Sequence, residues 1–196
     1  MRLVRSFAVF SLVLSAAACS VEGDDEVSVA PTTELDPQGS AHLKGGKRAE
    51  PSFVDHGLSL SSSAAVSGLG NGDVVVRLTA VGQPSATCTN PAGATQPAGQ
   101  NPVEVELTGV QAIPASAIKN GSLSFTVSTG APASDVAGAP GCPNPQWSET
   151  ITDVSFSSAT ITVEQGGAAV IGLSCSITPS SANGAVPAAA VVCTKI

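Results

Sequence analysis

The chain has 196 residues, 42% of them apolar, 12% charged and 3% aromatic, with 20 Gly, 14 Pro, no Tyr and a formal charge of −7. This composition excludes a nucleic-acid binder, which needs clustered Lys and Arg: from Pro51 onward the basic residues are Arg77, Lys119 and Lys195. It also disfavours a helical fold, because β-branched and small residues suit pleated strands and Gly and Pro punctuate them.

At the N-terminus, Arg2 and Arg5 frame the start of a short apolar run, Phe7 to Leu14, which leads into Ala16-Ala17-Ala18-Cys19. Basic residues ahead of an apolar run and a small-residue cleavage site mark a secretory signal, and the run is too short to span a bilayer. Residues 1–18 are therefore expected to be a signal peptide. Ala16 to Cys19 resembles a lipobox, the processing site of bacterial lipoproteins. That resemblance implies acylation of Cys19 and anchorage in the cell membrane or outer membrane. Ala16 departs from it, since lipoboxes favour Leu there, and an ordinary A-x-A cleavage releasing an extracellular secreted protein is the alternative. The cysteine count bears on the choice. There are five, and lipidation of Cys19 leaves an even four. Loss of Arg2 and Arg5 with the signal takes the formal charge from −7 to −9. No basic amphipathic helix is present, so membrane contact is expected only through the anchor.

Residues 19–50 carry Asp24-Asp25-Glu26, Asp36-Pro37-Gln38-Gly39 and Lys44-Gly45-Gly46-Lys47-Arg48 with no apolar period, and are expected to be a flexible tether. From Phe53 the pattern alternates at period two. Strands are expected at 52–61, 73–81, 85–88, 103–110, 122–128, 149–155, 159–164, 168–177 and 188–194. Asn71-Gly72, Asn120-Gly121, Gly166-Gly167 and Asn183-Gly184 are the expected tight reversals, where positive φ is needed. Pro114 to Lys119 is the one helical candidate, a single turn. Eight or nine short strands without a helical period predict an all-β, immunoglobulin-like antiparallel sandwich over residues 51–196, with a small barrel as the alternative. Its core must be mostly Val, Ile, Leu and Ala, because Phe53, Phe125, Phe156 and Trp147 are the only large rings after the signal.

Two connections are unusually long. Thr89 to Pro102 and Gly130 to Gln146 are rich in Pro and Gly, and each has a cysteine at or near one end. They share Cys88-Thr89-Asn90-Pro91 and Cys142-Pro143-Asn144-Pro145. Four cysteines allow three pairings, and spacing does not choose among them. Cys88 with Cys142 and Cys175 with Cys193 is the favoured pairing. The first would bring the two loops together, and the second would staple neighbouring strands around the reversal at 180–184. Gly68-Leu69-Gly70-Asn71, the two cysteine loops and Gln146-Trp147 together resemble a group of secreted bacterial proteins with two disulfides. The resemblance spans most of 66–193. It implies export and supports this pairing, and it implies no chemistry.

A search for catalytic groups finds little. Gly172-Leu173-Ser174-Cys175-Ser176 lacks the closing Gly of a hydrolase elbow and lies within an expected strand. His42 and His56 are the only histidines, and Asp55 precedes His56, but adjacent strand residues point to opposite faces. Glu104 and Glu106 share the wet face of one strand. No C-x-x-C pair or oxygen-rich loop suggests a metal, and no cofactor is expected. The expected role is therefore non-enzymatic: binding, adhesive or structural, on an envelope protein. The candidate surface is Asn90, Gln96, Gln100, Asn144 and Trp147, on loops clustered at one end of the sandwich, for a protein or carbohydrate ligand. A secreted hydrolase, using His56 and Asp55, is the alternative.

Overall fold

The computed structural model describes residues 40–46, 49–97, 103–133, 142 and 146–196. The expected signal peptide and Cys19 lie outside these residues, as do Gln100 and Asn144.

The described chain forms eleven strands in two antiparallel sheets, the all-β sandwich expected from composition and period. They are β1 His42–Leu43, β2 Ser52–Asp55, β3 Leu60–Ser67, β4 Val74–Thr89, β5 Thr95–Pro97, β6 Val105–Ile113, β7 Ser122–Ser128, β8 Ser148–Gln165, β9 Ala168–Ile177, β10 Gly184–Ala185 and β11 Val191–Lys195. In the smaller sheet β3 is central. β7 lies on one side of it, and β2 and β1 share the other, with β10 beyond β2. The larger sheet runs β11-β9-β8-β4, and the far edge of β4 pairs with β6 along 74–82 and with β5 along 87–89.

The core lies between the two inner faces. β4 contributes Val74, Val76, Leu78 and Ala80, and β8 contributes Val163, Ile161 and Ala159, residues that alternate inward at period two. Phe53, Phe125 and Phe156 are buried against them, whereas Trp147 is only partly covered and stands outside this core. The outer face of the larger sheet is mostly polar, with Val110 and Val192 exposed on it. Thr108, Thr79, Thr160, Ser174 and Thr194 form one row across five of its six strands. Along one side the sheets meet backbone to backbone: Gly130 N donates to Thr108 O at 3.0 Å, and a Cβ on Gly109 would overlap the carbonyl of Ser128.

Several expected boundaries shift, each for a tertiary reason. The expected strands 73–81 and 85–88 are one strand, as are 149–155 and 159–164. Pro84 reads as a break, yet it falls between Gly82 and Thr87, where β4 has no partner on its far edge to miss an N–H. Bulges opposite Val81/Gly82 and Ser85/Ala86 absorb the lost alternation. The expected strand 52–61 is instead a hairpin, reversed at 56–59 by a bond from His56 N to Ser59 O at 2.9 Å. Residues 62–67, Ser- and Ala-rich and weak as a sequence signal, complete the central strand β3.

The smaller sheet takes in residues from within the expected tether, before position 50. His42–Leu43 pairs with Val66 and Ser67, and Leu43 is buried in the core. Asn120-Gly121 and Gly166-Gly167 reverse the chain with positive φ as expected. Neither residue of Asn71-Gly72 does. Gln165 holds that loop instead, accepting from Gly70 N at 2.7 Å and donating to Gly70 O and Gly72 O at 3.1 and 2.7 Å. At Asn183-Gly184 only Gly184 has positive φ. The single helical turn expected near 114–119 is a 3-10 turn, Ala115–Ala117.

Candidate functional site

Two features meet at one end of the sandwich: a projecting ribbon and a cavity at its base. The ribbon is the continuation of β4 and β8, from the pair Ser85 and Asp153 to the pair Thr89 and Ser148, with β5 as a third strand. No residue of 85–97 or 146–153 belongs to the contiguous core. The ribbon is held by backbone pairing and by the disulfide Cys88–Cys142, with Cα atoms 5.6 Å apart. Cys88 is 1% exposed, and Cys142 is partly exposed.

At the tip, Asn90 closes a five-residue turn onto β5. Its N donates to Ala94 O at 2.9 Å, Gly93 N donates to Asn90 O at 2.9 Å, and its Oδ1 accepts from Ala94 N at 2.8 Å. The connection expected as one long loop from Thr89 is thus a hairpin. Gln96 pairs with Cys88 and is exposed, and Trp147 precedes the first residue of β8. Among the predicted surface residues, the fold therefore places Asn90, Gln96 and Trp147 on one ribbon end, and part of Asn90 serves its own turn.

The second disulfide, Cys175–Cys193, joins directly opposed residues of β9 and β11, Cα to Cα 4.0 Å. Both predicted bridges are present. The strands are not a simple hairpin, however. Residues 178–190 leave the larger sheet, add β10 to β2, and return through a 3-10 turn at Ala188–Ala190. Two disulfides place the folding of this chain in an oxidising compartment. No helix of the described residues is long and apolar enough to cross a membrane.

That crossover roofs a cavity of about 290 Å³. Its wall includes Phe156, Ile177, Val186 and Pro187, and also Asp55 and Asn183. Asp55 is inside because β2 alternates: Phe53 faces the core, so the residue two positions on does as well. It is 6% exposed, and its Oδ1 accepts from Gly57 N at 2.7 Å. Burial pushes its carboxyl above the usual value, against the lowering effect of the Gly57 bond, and the charge of Asp153 adds to the rise while His56 opposes it. Asp153 Oδ1 is itself buried without a hydrogen-bond partner. Gly57 separates these groups. It has φ of 83°, and a Cβ there would lie 3.1 Å from Asn183 Nδ2 and 3.5 Å from Asp153 Oδ1.

Asp55 as a cavity residue was missed by sequence reasoning, although the signal was present in Phe53-Val54-Asp55. His56 projects the other way, as adjacency predicts, and its Nε2 lies 3.0 Å from Ser61 Oγ. Glu106 is exposed on β6 and Glu104 is exposed just before it. Ser174 and Ser176 are exposed within β9. Among the described residues no group of three His, Cys, Asp or Glu could hold a metal. No protein-family model matches this chain, and neither a curated protein nor a solved structure shows significant similarity to it.

Proposed function

We propose that this chain is an exported cell-envelope protein, lipid-anchored at Cys19, whose sandwich presents the disulfide-clamped ribbon as a recognition surface for a protein or carbohydrate. The observation that carries this reading is the placement of Cys88–Cys142 in a ribbon that adds nothing to the core. A cross-link there holds the shape of exposed groups, which is what a binding surface needs to avoid ordering cost on association. The low charge, the export signal expected from the sequence and the projection of the ribbon beyond the core support the same reading.

The test is a glycan- and peptide-array screen with the disulfide-bonded protein. Any ligand found is then titrated against Trp147→Ala, Gln96→Ala and the double variant Cys88→Ser/Cys142→Ser. Binding weakened at least tenfold by these, and untouched by Val192→Ser on β11, supports the ribbon. Equal binding by all four variants overturns it.

One contact favours a second reading, a secreted hydrolase. Ser61 Oγ and His56 Nε2 are within hydrogen-bond reach, as a nucleophile and its base must be. Labelling of Ser61 by a fluorophosphonate, lost in His56→Ala, would establish this activity. An unlabelled chain would end it.

A further inference from the structure

We propose that the cavity between β2 and the 178–190 crossover binds a primary ammonium group carried on a short alkyl chain, with Asp55 as the anionic anchor. This site lies at the base of the ribbon, and the proposal does not depend on ligand binding by the ribbon.

Buried charges in proteins are paired or fully hydrogen-bonded, because a desolvated carboxylate without partners is costly. Asp55 meets only half of that requirement. Gly57 N satisfies Oδ1, and among the described residues no Lys, Arg or His forms an ion pair with this carboxylate, which lines the cavity. Among the described residues, no Lys or Arg lines the cavity. Arg77 is occupied by Glu164 at 3.0 Å, and His56 turns to Ser61. Asp153, beside Gly57, adds a second negative charge with one oxygen buried and unpaired. The cavity is therefore built to receive positive charge.

The walls define the rest of the ligand. Phe156, Ile177, Val186 and Pro187 offer apolar contact to an alkyl body, and the volume falls just below the range of roughly 300–1,000 Å³ for ligand pockets, as suits a small ligand. A guanidinium would want two parallel acceptor oxygens on one carboxylate, and Gly57 already occupies one. An ammonium needs single acceptors in several directions, and Asp55, Asn183 and Thr178, each carrying an acceptor oxygen, line this space. A free alkylamine and a lysine side chain of a peptide share this chemistry.

The test is a ¹⁵N NMR titration of the disulfide-bonded full chain with n-pentylammonium, with the peptide acetyl-Gly-Lys-Gly-amide, and with 1-pentanol as the neutral control. The proposal expects saturable shifts at Gly57, Asn183 and Ala185 with the two amines and none with pentanol. Tighter binding of the peptide identifies a lysine side chain as the source, and tighter binding of pentylammonium a free amine. Asp55→Asn keeps an acceptor for Gly57 N and removes the charge, so it should weaken amine binding about ten- to a hundred-fold. Equal shifts with pentanol, no saturable shift with either amine, or undiminished binding by Asp55→Asn overturns the proposal. If Asp55→Asn fails to fold, Ala182→Trp decides, since Ala182 is exposed in the cavity wall: retained amine binding overturns the proposal, and lost binding supports it.

Discussion

Asp55 is a carboxylate on the core face of a strand, and its environment raises its pKa above the ordinary 3.8. The native state therefore holds this proton more tightly than the unfolded chain does, so stability is greatest below 3.8 and falls as pH rises through the elevated native value. Asp153 and His56 are the charged groups acting on it, with opposite signs. Asp55→Asn should abolish this fall, giving a variant at least as stable as the parent at pH 7, with the two converging near pH 3. Urea unfolding at pH 3, 5 and 7 checks it, and a steeper loss in the variant would contradict the assignment.

Gly109 poses the opposite problem, of space rather than charge. Its missing Cβ lets β6 approach the Ser128 carbonyl, so Gly109→Ala should cost at least about 2 kcal/mol by forcing the sheet edges apart. Gly130→Ala, where the nearest atom is Thr108 O at 4.0 Å, should stay within about 0.5 kcal/mol. Comparable losses in both variants would mean that the close approach is not what Gly109 provides.

At the level of elements, the two longest strands do two jobs. Over 74–82 and 158–165 they form the centre of the core, and over 85–89 and 148–153 they leave it as the ribbon. The disulfides divide in the same way. Cys88–Cys142 spans 54 residues and Cys175–Cys193 spans 18, so loop-entropy reasoning gives about 4 and about 3 kcal/mol respectively.

Location distinguishes the bridges more sharply than magnitude. Cys88→Ser/Cys142→Ser should lose amide protection at 85–89 and 148–153 while β9 and β11 stay protected, and Cys175→Ser/Cys193→Ser should do the reverse. Hydrogen exchange followed by mass spectrometry reads both, and uniform loss across the chain in either variant would count against an autonomous ribbon. The fusion of predicted strands belongs to this scale too. Gly82 and Pro84 are strand breakers locally, and a bulge with a one-sided partner is what makes them tolerable.

For the whole molecule, the sandwich is the part that folds around a core, and the proposed lipid anchor at Cys19 is tested apart from it. If Cys19 is acylated, the protein made in a bacterial host should partition into detergent, and its N-terminal peptide should carry the added mass of the lipid. Cys19→Ser should move it to the aqueous phase. An unmodified peptide beginning at Cys19 would instead establish simple secretion.

The all-β class, the polar outer faces, the aliphatic core and the two reversals at Asn120-Gly121 and Gly166-Gly167 were legible in the sequence. Each follows from local chemistry: period-two burial, β-branched side chains and residues that accept positive φ. The disulfide pairing was only one of three combinations until the fold put Cys175 opposite Cys193 and Cys88 beside Cys142. Only the tertiary structure could unite β4 across Pro84, draw His42–Leu43 into a sheet and send 178–190 across to β2, because those outcomes depend on which strand edge is free to pair. Only it could convert the alternation of Phe53 and Asp55 into a charged cavity, since a strand shows which face a residue takes and the packing of the opposite sheet decides what that face meets.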